Sequence, residues 1–409
     1  MKKKPEQLSR VPDLSNQVKK DIEYSIEMSR WFLKPIGLWP IDPHASTTEK
    51  CLLKILIVIA SFLLSFNFIP TLLHVIIIEK NLEQKLIFAG PICFGVMVIS
   101  KYYFLLAKHK SIRKCFKHID TDWHQIRHTN DRKIMWAYAK HSRFIMSFCA
   151  IFLYAGGIFY HTIAPLARGT ILTANNVSIR PLPHPGFIVV ETSPLYEIFF
   201  IAQWFSDFVR YSVGGAMCSL GVTFVLHICG QLKIIMSRLE EFIDADTLAG
   251  NIKSKTATIV ELHLRSMNFI SRIEKLLNEV CLIEVLGSTL VLCLIGYCIL
   301  VEIEKEHTRA IEILTYSVLL VSFTFNIFIF CYIGEMLSRQ KEKIGNTAYM
   351  IKWYKLSGKD AKILILIIKI SHYSNNLTAG KMMTLSYHSF SAIIRTSIAY
   401  LNLLRTLIL

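Results

Sequence analysis

Apolar residues recur along the chain in runs of about 20, separated by polar and basic segments. A helix needs about 20 apolar residues to cross a bilayer core of about 30 Å, so each run predicts a membrane-spanning helix. A shorter apolar stretch from Lys362 is flanked by lysines, and it predicts a buried cytoplasmic helix before the last span. The predicted fold is all-α and integral to the membrane, with seven transmembrane helices at 53–78, 86–106, 136–160, 196–226, 277–301, 311–335 and 382–407.

Basic residues are distributed unevenly among the segments that join these spans. Segments 1–50, 107–133, 227–275 and 336–362 together hold 31 Lys and Arg residues, whereas the segments on the opposite side hold 6. Loops rich in Lys and Arg stay in the cytoplasm, so we expect a cytoplasmic N-terminus and, after seven spans, an extracellular C-terminus. This orientation is opposite to that of the G-protein-coupled receptors.

The composition supports a membrane protein and narrows its function. Hydrophobic residues make up 53% of the chain, and the net charge is +16. The charge lies in the predicted cytoplasmic loops, where it faces anionic lipid, so we expect no nucleic-acid partner. The sequence contains no nucleophile elbow, zinc-protease motif or phosphate-binding loop, and this predicts neither an enzyme nor a cofactor. Cys115, His118, His124 and His128 are spaced unlike common zinc sites, so we expect no metal.

The predicted extracellular loop 161–195 carries two features of its own. Asn176 begins an N-x-S sequence and predicts a glycosylation site. Pro181, Pro183 and Pro185 favour a stiff, extended segment, which is either a lid over the helix bundle or an ordinary surface loop.

Charged residues inside predicted spans are costly and need an explanation. Asp207 and Arg210 are three residues apart in the fourth span, and we expect them to form an internal ion pair. Lys101 in the second span is expected to extend its amine toward the cytoplasmic surface. In the last span, polar residues fall on one side of the helix, and this stripe faces either water or neighbouring helices. The stripe consists of Thr384, His388, Ser391, Arg395, Asn402 and Arg405.

Aromatic residues crowd the outer halves of the spans. Core packing and interfacial belts account for most such residues, but a pocket for a small apolar ligand needs the same groups with a few polar ones. The predicted ligand-binding residues are Phe94, Met97, Phe152, Tyr154, Tyr160, Gln203, Trp204, Phe208, Tyr316 and Phe323.

Four stretches together resemble the insect odorant receptor family, in particular receptors of ants, wasps and bees. They are RWFLKPIGLWP (30–40), SPLYE (193–197), HICGQLKIIMSRLEEF (227–242) and TAGKMMTLSYHSFSAIIRTSIAYLNLLRTL (378–407). The resemblance implies an odorant-gated, non-selective cation channel in the plasma membrane of the olfactory sensory neuron dendrite. It also implies that this chain is the tuning subunit of a heterotetramer with the shared co-receptor (Orco), that a volatile odorant binds among spans two, three, four and six, and that the last helix lines the pore.

The resemblance divides the chain into three regions and suggests pore residues. The regions are a cytoplasmic N-terminal segment (1–50), a ligand-binding bundle of spans one to six (51–335), and an intersubunit anchor helix with the pore-lining helix (336–409). Alignment around Tyr400 places the channel gate on Leu403, whereas the polar stripe centres near Asn402, and Ser391 and Arg395 complete the predicted pore set. Arg395 and Arg405 are unexpected beside a cation path because positive charge repels cations. A receptor acting through a soluble transducer, a gustatory receptor and a transporter are the alternative functions.

Overall fold

The structure, a computed structural model, describes residues 10–42, 45–169, 171–172, 178–179, 182–184, 194–244, 250–305, 310–355, 358–372 and 376–408. Nearly all of these residues are helical. The helices are α1 (Arg10–Leu33), α2 (Thr47–Leu73), α3 (Leu82–Ala107), α4 (His109–Gln125), α5 (Thr129–Ile158), α6 (Ala164–Arg168), α7 (Leu195–Asp244), α8 (Gly250–Glu304), α9 (Ala310–Met350), α10 (Gly358–Ser371) and α11 (Tyr387–Ile408). Four two-residue strands form two hairpins, β1 (Ile171–Leu172) with β2 (Ser178–Ile179) and β3 (Thr378–Ala379) with β4 (Met383–Thr384). Single π-helical turns extend α2 and α5.

Each of the seven predicted spans contains a long helix, and the short helix predicted from Lys362 is present as α10. The last span differs at its start: residues 383–384 form β4, so α11 begins at Tyr387 and not at 382. Six helices in the described part of the chain are long and apolar enough to cross a bilayer, namely α2, α3, α5, α7, α8 and α9. The seventh, α11, has 22 residues and is therefore about 33 Å long, which matches the bilayer core. Arg395 and Arg405 give it a more polar composition than the other spans.

The three longest helices extend well beyond a bilayer. Helices α7, α8 and α9 have 50, 55 and 41 residues, so α8 alone is about 80 Å long. Helix α7 lies at the centre of the molecule, where nearly every residue between Val213 and Met236 is buried. The other helices pack around it, and α11 packs mainly against α8.

Two of the segments treated as basic connections in the sequence contain helices. Residues 10–33 form α1, and the basic loop 107–133 contains α4, whose apolar residues recur with helical spacing and are buried. Ion pairs hold both helices to their neighbours. Arg132 Nη2 of α5 lies 2.7 Å from Asp21 in α1, and Arg265 Nη2 of α8 lies 2.5 Å from Asp122 in α4. The basic segments therefore assemble into one folded layer at one end of the bundle.

The hairpin formed by β3 and β4 leads directly into α11. Gly380 and Lys381 at its turn both have φ near +60°, a conformation that glycine adopts without steric cost. The Gly380 N–H donates to the carbonyl of Asn278 in α8 at 2.8 Å. The start of α11 is thereby attached to α8 through the backbone.

Candidate functional site

A small cavity lies inside the bundle, between α3, the π-helical turn after α5, α7, α8 and α9. The volume that the centre of a water molecule can occupy in it is about 50 Å³. Aliphatic and aromatic side chains form most of the wall. The lining residues are Ile87, Gly90, Pro91, Phe94, Tyr160, His161, His184, Arg210, Tyr211, Val291, Leu294, Ile295, Cys298, Tyr316, Leu319 and Phe323.

A buried carboxylate, Asp207, organises the polar part of this wall. His184 Nε2 donates to Asp207 Oδ1 at 3.0 Å, and Asn67 Nδ2 donates to the same oxygen at 3.2 Å. His161 Nδ1 lies 2.9 Å from Asp207 Oδ2, and Arg210 Nη1 lies 3.3 Å from Oδ1. The predicted pairing of Asp207 with Arg210 is confirmed, but it is one part of a larger network. Burying a charge requires such surroundings, because an unpaired carboxylate in the bundle would be strongly destabilising.

The loop that the charge distribution predicts to be extracellular contributes to the cavity through His184. Its backbone N–H donates to Gln203 Oε1 at 3.3 Å, and Gln203 Nε2 donates back to the His184 carbonyl at 3.1 Å. Burial lowers the pKa of the His184 imidazole to about 4, although neighbouring Asp207 opposes this shift. The side chain is therefore neutral near pH 7 and closes the cavity from the loop side. Asn176, Pro181 and Pro185 of the same loop lie outside the described residues.

His161, His184 and Asp207 are also the described residues whose potential metal-ligand atoms converge, within 4.8 Å of one another. A guanidinium nitrogen of Arg210 lies 3.4 Å from His184 Nε2, and this fixed positive charge opposes a bound cation. His161 Nε2 is 2.9 Å from the hydroxyl of Tyr211, which occupies its other nitrogen. The arrangement fits a hydrogen-bonded network around one carboxylate better than a metal centre.

Six of the ten predicted ligand-binding residues belong to the cavity or its immediate support. Phe94, Tyr160, Tyr316 and Phe323 line it. Met97 is buried in the same cluster of apolar side chains as Tyr316 and Phe323. Gln203 is buried behind the wall and holds His184 in place.

The other four predicted residues lie farther out. Trp204 and Phe208 stack on each other at 6.1 Å on the outer face of α7 and are about 40% exposed. Phe152 packs against Phe325 at 4.3 Å. Tyr154 stacks on Phe208 at 5.5 Å, and its hydroxyl is 2.9 Å from Ser212 Oγ. None of the four lines the cavity, and binding of odorant by any of the ten stays a prediction.

Sequence reasoning did not place His161, His184 or Tyr211 in the cavity wall. His161 lies in a π-helical turn, which shifts side chains relative to an α-helical wheel. His184 comes from a loop, where no periodicity indicates direction. A lone histidine near a membrane surface is ordinarily solvated, so only the arrangement around Asp207 reveals these residues.

The expectation for Lys101 is wrong. Its side chain is 1% exposed and forms an ion pair with Glu284 of α8 inside the bundle. Glu284 Oε1 also accepts hydrogen bonds from Ser288 Oγ at 3.0 Å and from Asn326 Nδ2 of α9 at 2.8 Å. The amine finds a carboxylate at its own depth, so it has no need to reach the membrane surface. This ion pair connects α3, α8 and α9 near the cavity.

The polar stripe predicted in the last span lies on an exposed face within the described part of the chain, and its first member, Thr384, lies in β4 rather than in α11. All five predicted pore residues are exposed, namely Ser391, Arg395, Tyr400, Asn402 and Leu403. The opposite face packs against α8, where Ser397 Oγ donates to the Thr289 carbonyl at 3.1 Å. Of the two orientations open from the sequence, the stripe is not buried against neighbouring helices of the same chain.

Comparison with solved structures shows the same fold. The chain matches the insect olfactory receptor OR5 from Machilis hrabei in complex with eugenol, with a TM-score of 0.73 and 13% identity over 97% of this chain and 99% of that one. A second structure of that receptor also gives a TM-score of 0.73, with 15% identity over 96% and 99% of the two chains.

Sequence comparison decides the family. Odorant receptor 13a of Drosophila melanogaster is 22% identical over 395 residues, which cover 92% of this chain and 94% of the relative. Odorant receptor 10 of Aedes albopictus is 24% identical over 258 residues, or 60% of this chain and 67% of the relative. Residues 85–398 match the 7tm odorant receptor family. The chain belongs to the 7tm odorant receptor family.

Membership accounts for the main features of this odorant receptor. It is a multi-pass membrane protein of the all-α class, as the apolar runs predicted, and it is not an enzyme. The family match spans the cavity, the Lys101–Glu284 ion pair and most of α11.

Proposed function

We propose that this odorant receptor is an odorant-gated, non-selective cation channel subunit, and that it tunes a heterotetramer formed with the shared co-receptor (Orco). Its site of action is the plasma membrane of the olfactory sensory neuron dendrite. The N-terminus lies in the cytoplasm, and the C-terminus lies outside the cell. The cavity binds a volatile odorant, and the exposed face of α11 forms one wall of the pore.

One observation carries the proposal: a single stretch of α8 contacts both the cavity and the pore helix. Val291, Leu294 and Ile295 line the cavity. The residues that flank them in α8 contact α11: the Thr289 carbonyl accepts a hydrogen bond from the Ser397 hydroxyl, and Gly296 lies against Leu401. A ligand that displaces this segment of α8 therefore acts on α11 directly.

The size of the cavity supports coupling between binding and movement. An engineered apolar cavity of about 150 Å³ binds benzene, whereas this one has about 50 Å³. An odorant with several heavy atoms fits only after the wall has expanded. Since protein interiors are close-packed, the helices around the cavity must shift when it is filled.

A partner subunit is supported by apolar surface outside the predicted spans. Met350, Trp353, Tyr354, Ile365 and Leu366 lie at the basic end of the molecule and are between 49% and 80% exposed. Exposed clusters of this kind mark interaction sites, and this one coincides with the region predicted as the intersubunit anchor.

The proposal is tested by expressing the chain with the co-receptor and recording currents evoked by a broad odorant panel. We expect inward cation currents that require both subunits. Silence across the panel, with surface expression of both chains established, would contradict the proposal. An epitope tag at residue 1 must be inaccessible on intact cells. An accessible tag would favour the receptor that acts through a soluble transducer, and saturable flux without the co-receptor would favour a transporter.

The pore assignment has its own test. Leu403→Ala should raise basal current or change ion selectivity, because it removes an apolar side chain from the exposed face of α11. Asn402→Leu should lower conductance, because it replaces a polar lining group with an apolar one. Permeation that is unchanged in both variants would remove this face from the conduction path.

A further inference from the structure

The wall of the cavity has one polar patch, formed by His161, His184, Arg210 and Tyr211. These residues are gathered together: the two imidazole rings are 4.8 Å apart, and His161 bonds the Tyr211 hydroxyl. The remaining wall, contributed mainly by α3, α8 and α9, consists largely of aliphatic and aromatic side chains, with Tyr160 and Tyr316 among the aromatic ones. A ligand that fills this space meets hydrogen-bonding groups on one side and hydrocarbon on the other.

Arg210 is the residue of this patch whose hydrogen-bond donors remain available to a ligand. A guanidinium has five N–H groups. The protein contacts of Arg210 are long: Nη1 lies 3.3 Å from Asp207 Oδ1, and Nη2 lies 3.4 Å from the Pro91 carbonyl. Ordinary N–H···O bonds are 2.7–3.2 Å. The guanidinium therefore keeps donor capacity toward the cavity, while Asp207 is surrounded by other partners and does not line it.

The charge balance of the site selects among hydrogen-bond acceptors. The negative charge of Asp207 is offset by Arg210, and His184 is neutral because burial lowers its pKa to about 4. A ligand that carries a full negative charge would add an uncompensated anion to a buried site, which is costly. A neutral oxygen acceptor can take an N–H of Arg210 without that penalty.

We propose that the preferred odorants of this receptor carry a neutral carbonyl oxygen, as in an aldehyde, ketone or ester, at one end of an apolar chain or ring, and that Arg210 donates an N–H to that oxygen. The inference rests on the proposed function and names its ligand class. The apolar part of the ligand packs against Val291, Leu294 and Leu319. The guanidinium carbon of Arg210 lies 5.6 Å from the ring centre of Phe94, which also lines the cavity.

The test uses the unaltered receptor with its co-receptor and ligands of matched carbon skeleton. An aldehyde, a ketone, the alkane and the carboxylic acid of one chain length are compared at pH 7.4 by their half-maximal aqueous concentrations. A hydrogen bond to a charged group changes affinity by about 10- to 100-fold. We expect the aldehyde and ketone to be more potent than the alkane by that factor, and the ionised acid to be weaker than the aldehyde by at least tenfold.

Variants assign the effect to Arg210. Arg210→Lys keeps a positive charge beside Asp207 but loses the planar fork of donors, so it should reduce the preference for carbonyl over alkane to below about threefold. The charge-neutral double variant Asp207→Asn with Arg210→Gln should do the same without leaving a charge unpaired. Phe205→Leu, on the exposed face of the same helix, is the matched control and should keep the wild-type preference.

The outcomes separate this inference from the proposed function. Alkane and carbonyl ligands of equal potency in the wild-type receptor would overturn the ligand class while leaving the odorant-gated channel intact. Greater potency of the carboxylate would also overturn it. Dependence of the response on micromolar Zn²⁺, lost on chelation, would replace it with a metal site at His161, His184 and Asp207. Absence of any odorant-evoked current from surface-expressed receptor would overturn both proposals together.

Discussion

At the scale of single residues, buried charges in this receptor are stabilised by several polar partners at the same depth. Lys101 and Glu284 are each 1% exposed, and the carboxylate also receives bonds from Ser288 and Asn326. Both charges have lost their water, so neither can be removed alone without leaving the other unpaired. This dependence distinguishes the pair from charges on the surface.

Lys101→Met alone should destabilise the receptor by about 3–5 kcal/mol, because it leaves Glu284 charged and unpaired. The double variant with Glu284→Gln should recover most of that loss, because glutamine is uncharged and can still accept from Asn326. The melting temperature of the purified receptor and its level at the cell surface are the two measurements. Lys110→Met is the control, because Lys110 is exposed. Strict additivity of the two single variants would contradict a direct interaction.

His184 makes the loop side of the cavity sensitive to acid. Its pKa is lowered to about 4 by burial, whereas a free histidine titrates near 6.5. Burial of neutral His184 in the cavity wall is therefore fully favoured above pH 6.5. This preference over the solvent-exposed side chain is lost progressively as the pH falls toward 4. Asp207, Arg210, His161 and Tyr211 are the ionisable side chains that surround this imidazole in the cavity wall and its support.

We expect odorant potency to fall by up to about tenfold per pH unit as the external pH drops below about 6.5. His184→Asn should remove most of this dependence while keeping the backbone bonds to Gln203. Dose–response curves at pH 7.4 and 5.5 provide the measurement. His124→Asn is the matched control, because the side chain of His124 in α4 is exposed. An equal pH effect in wild type and His184→Asn would assign the dependence to another group.

At the scale of helices, the contact between α8 and α11 depends on one glycine. A Cβ atom added at Gly296 would lie 2.8 Å from Leu401 Cδ2, which is too close unless the leucine side chain, or α11 together with it, shifts. The predicted pore residues lie on the opposite face of α11, so a shift of α11 away from α8 would displace them toward the proposed pore axis. The position of the exposed face of α11 therefore depends on how closely α8 and α11 pack.

Gly296→Ala should reduce the maximal odorant-evoked current at least twofold, since the added methyl group collides with Leu401 and disturbs the contact between α8 and α11. Leu401→Ala should rescue the current when combined with it, because the leucine tip is the group that collides. Gly358→Ala is the control, as a Cβ there meets nothing within 4 Å. Whole-cell recordings with surface labelling provide the measurement. Failure of Leu401→Ala to rescue would show that the contact is not the cause.

The helices of this fold were predictable to different degrees. Long apolar runs gave all seven spans, because lipid permits few other structures. Helices α1 and α4 were missed because they are polar on average, although Ile112, Cys115, Phe116, Ile119 and Trp123 carry the spacing of a buried face. The cavity was predicted only in part, since its polar patch depends on a π-helical turn and on a loop.

At the scale of the whole molecule, the receptor divides its apolar surface between two environments. Helices α2 and α3 expose aliphatic side chains along predicted spans, where lipid covers them. Trp353 and Tyr354 instead follow the end of α9 at the basic end of the molecule, beyond any predicted span. Water would contact these rings in an isolated chain, so their exposure calls for a partner surface.

Trp353→Asp should therefore reduce assembly with the co-receptor at least fivefold while leaving the fold of the bundle intact. The aspartate places a charge in an apolar interface, where desolvation is costly, whereas a half-exposed side chain contributes little to folding. Co-purification of the two chains at equal expression measures assembly, and the melting temperature of the variant reports folding. Lys352→Asp tests whether charge reversal alone disturbs this region, and it should leave assembly within about twofold of wild type. Normal co-purification of Trp353→Asp would remove the rings after α9 from the subunit contact and would move the search for it to the exposed face of α10.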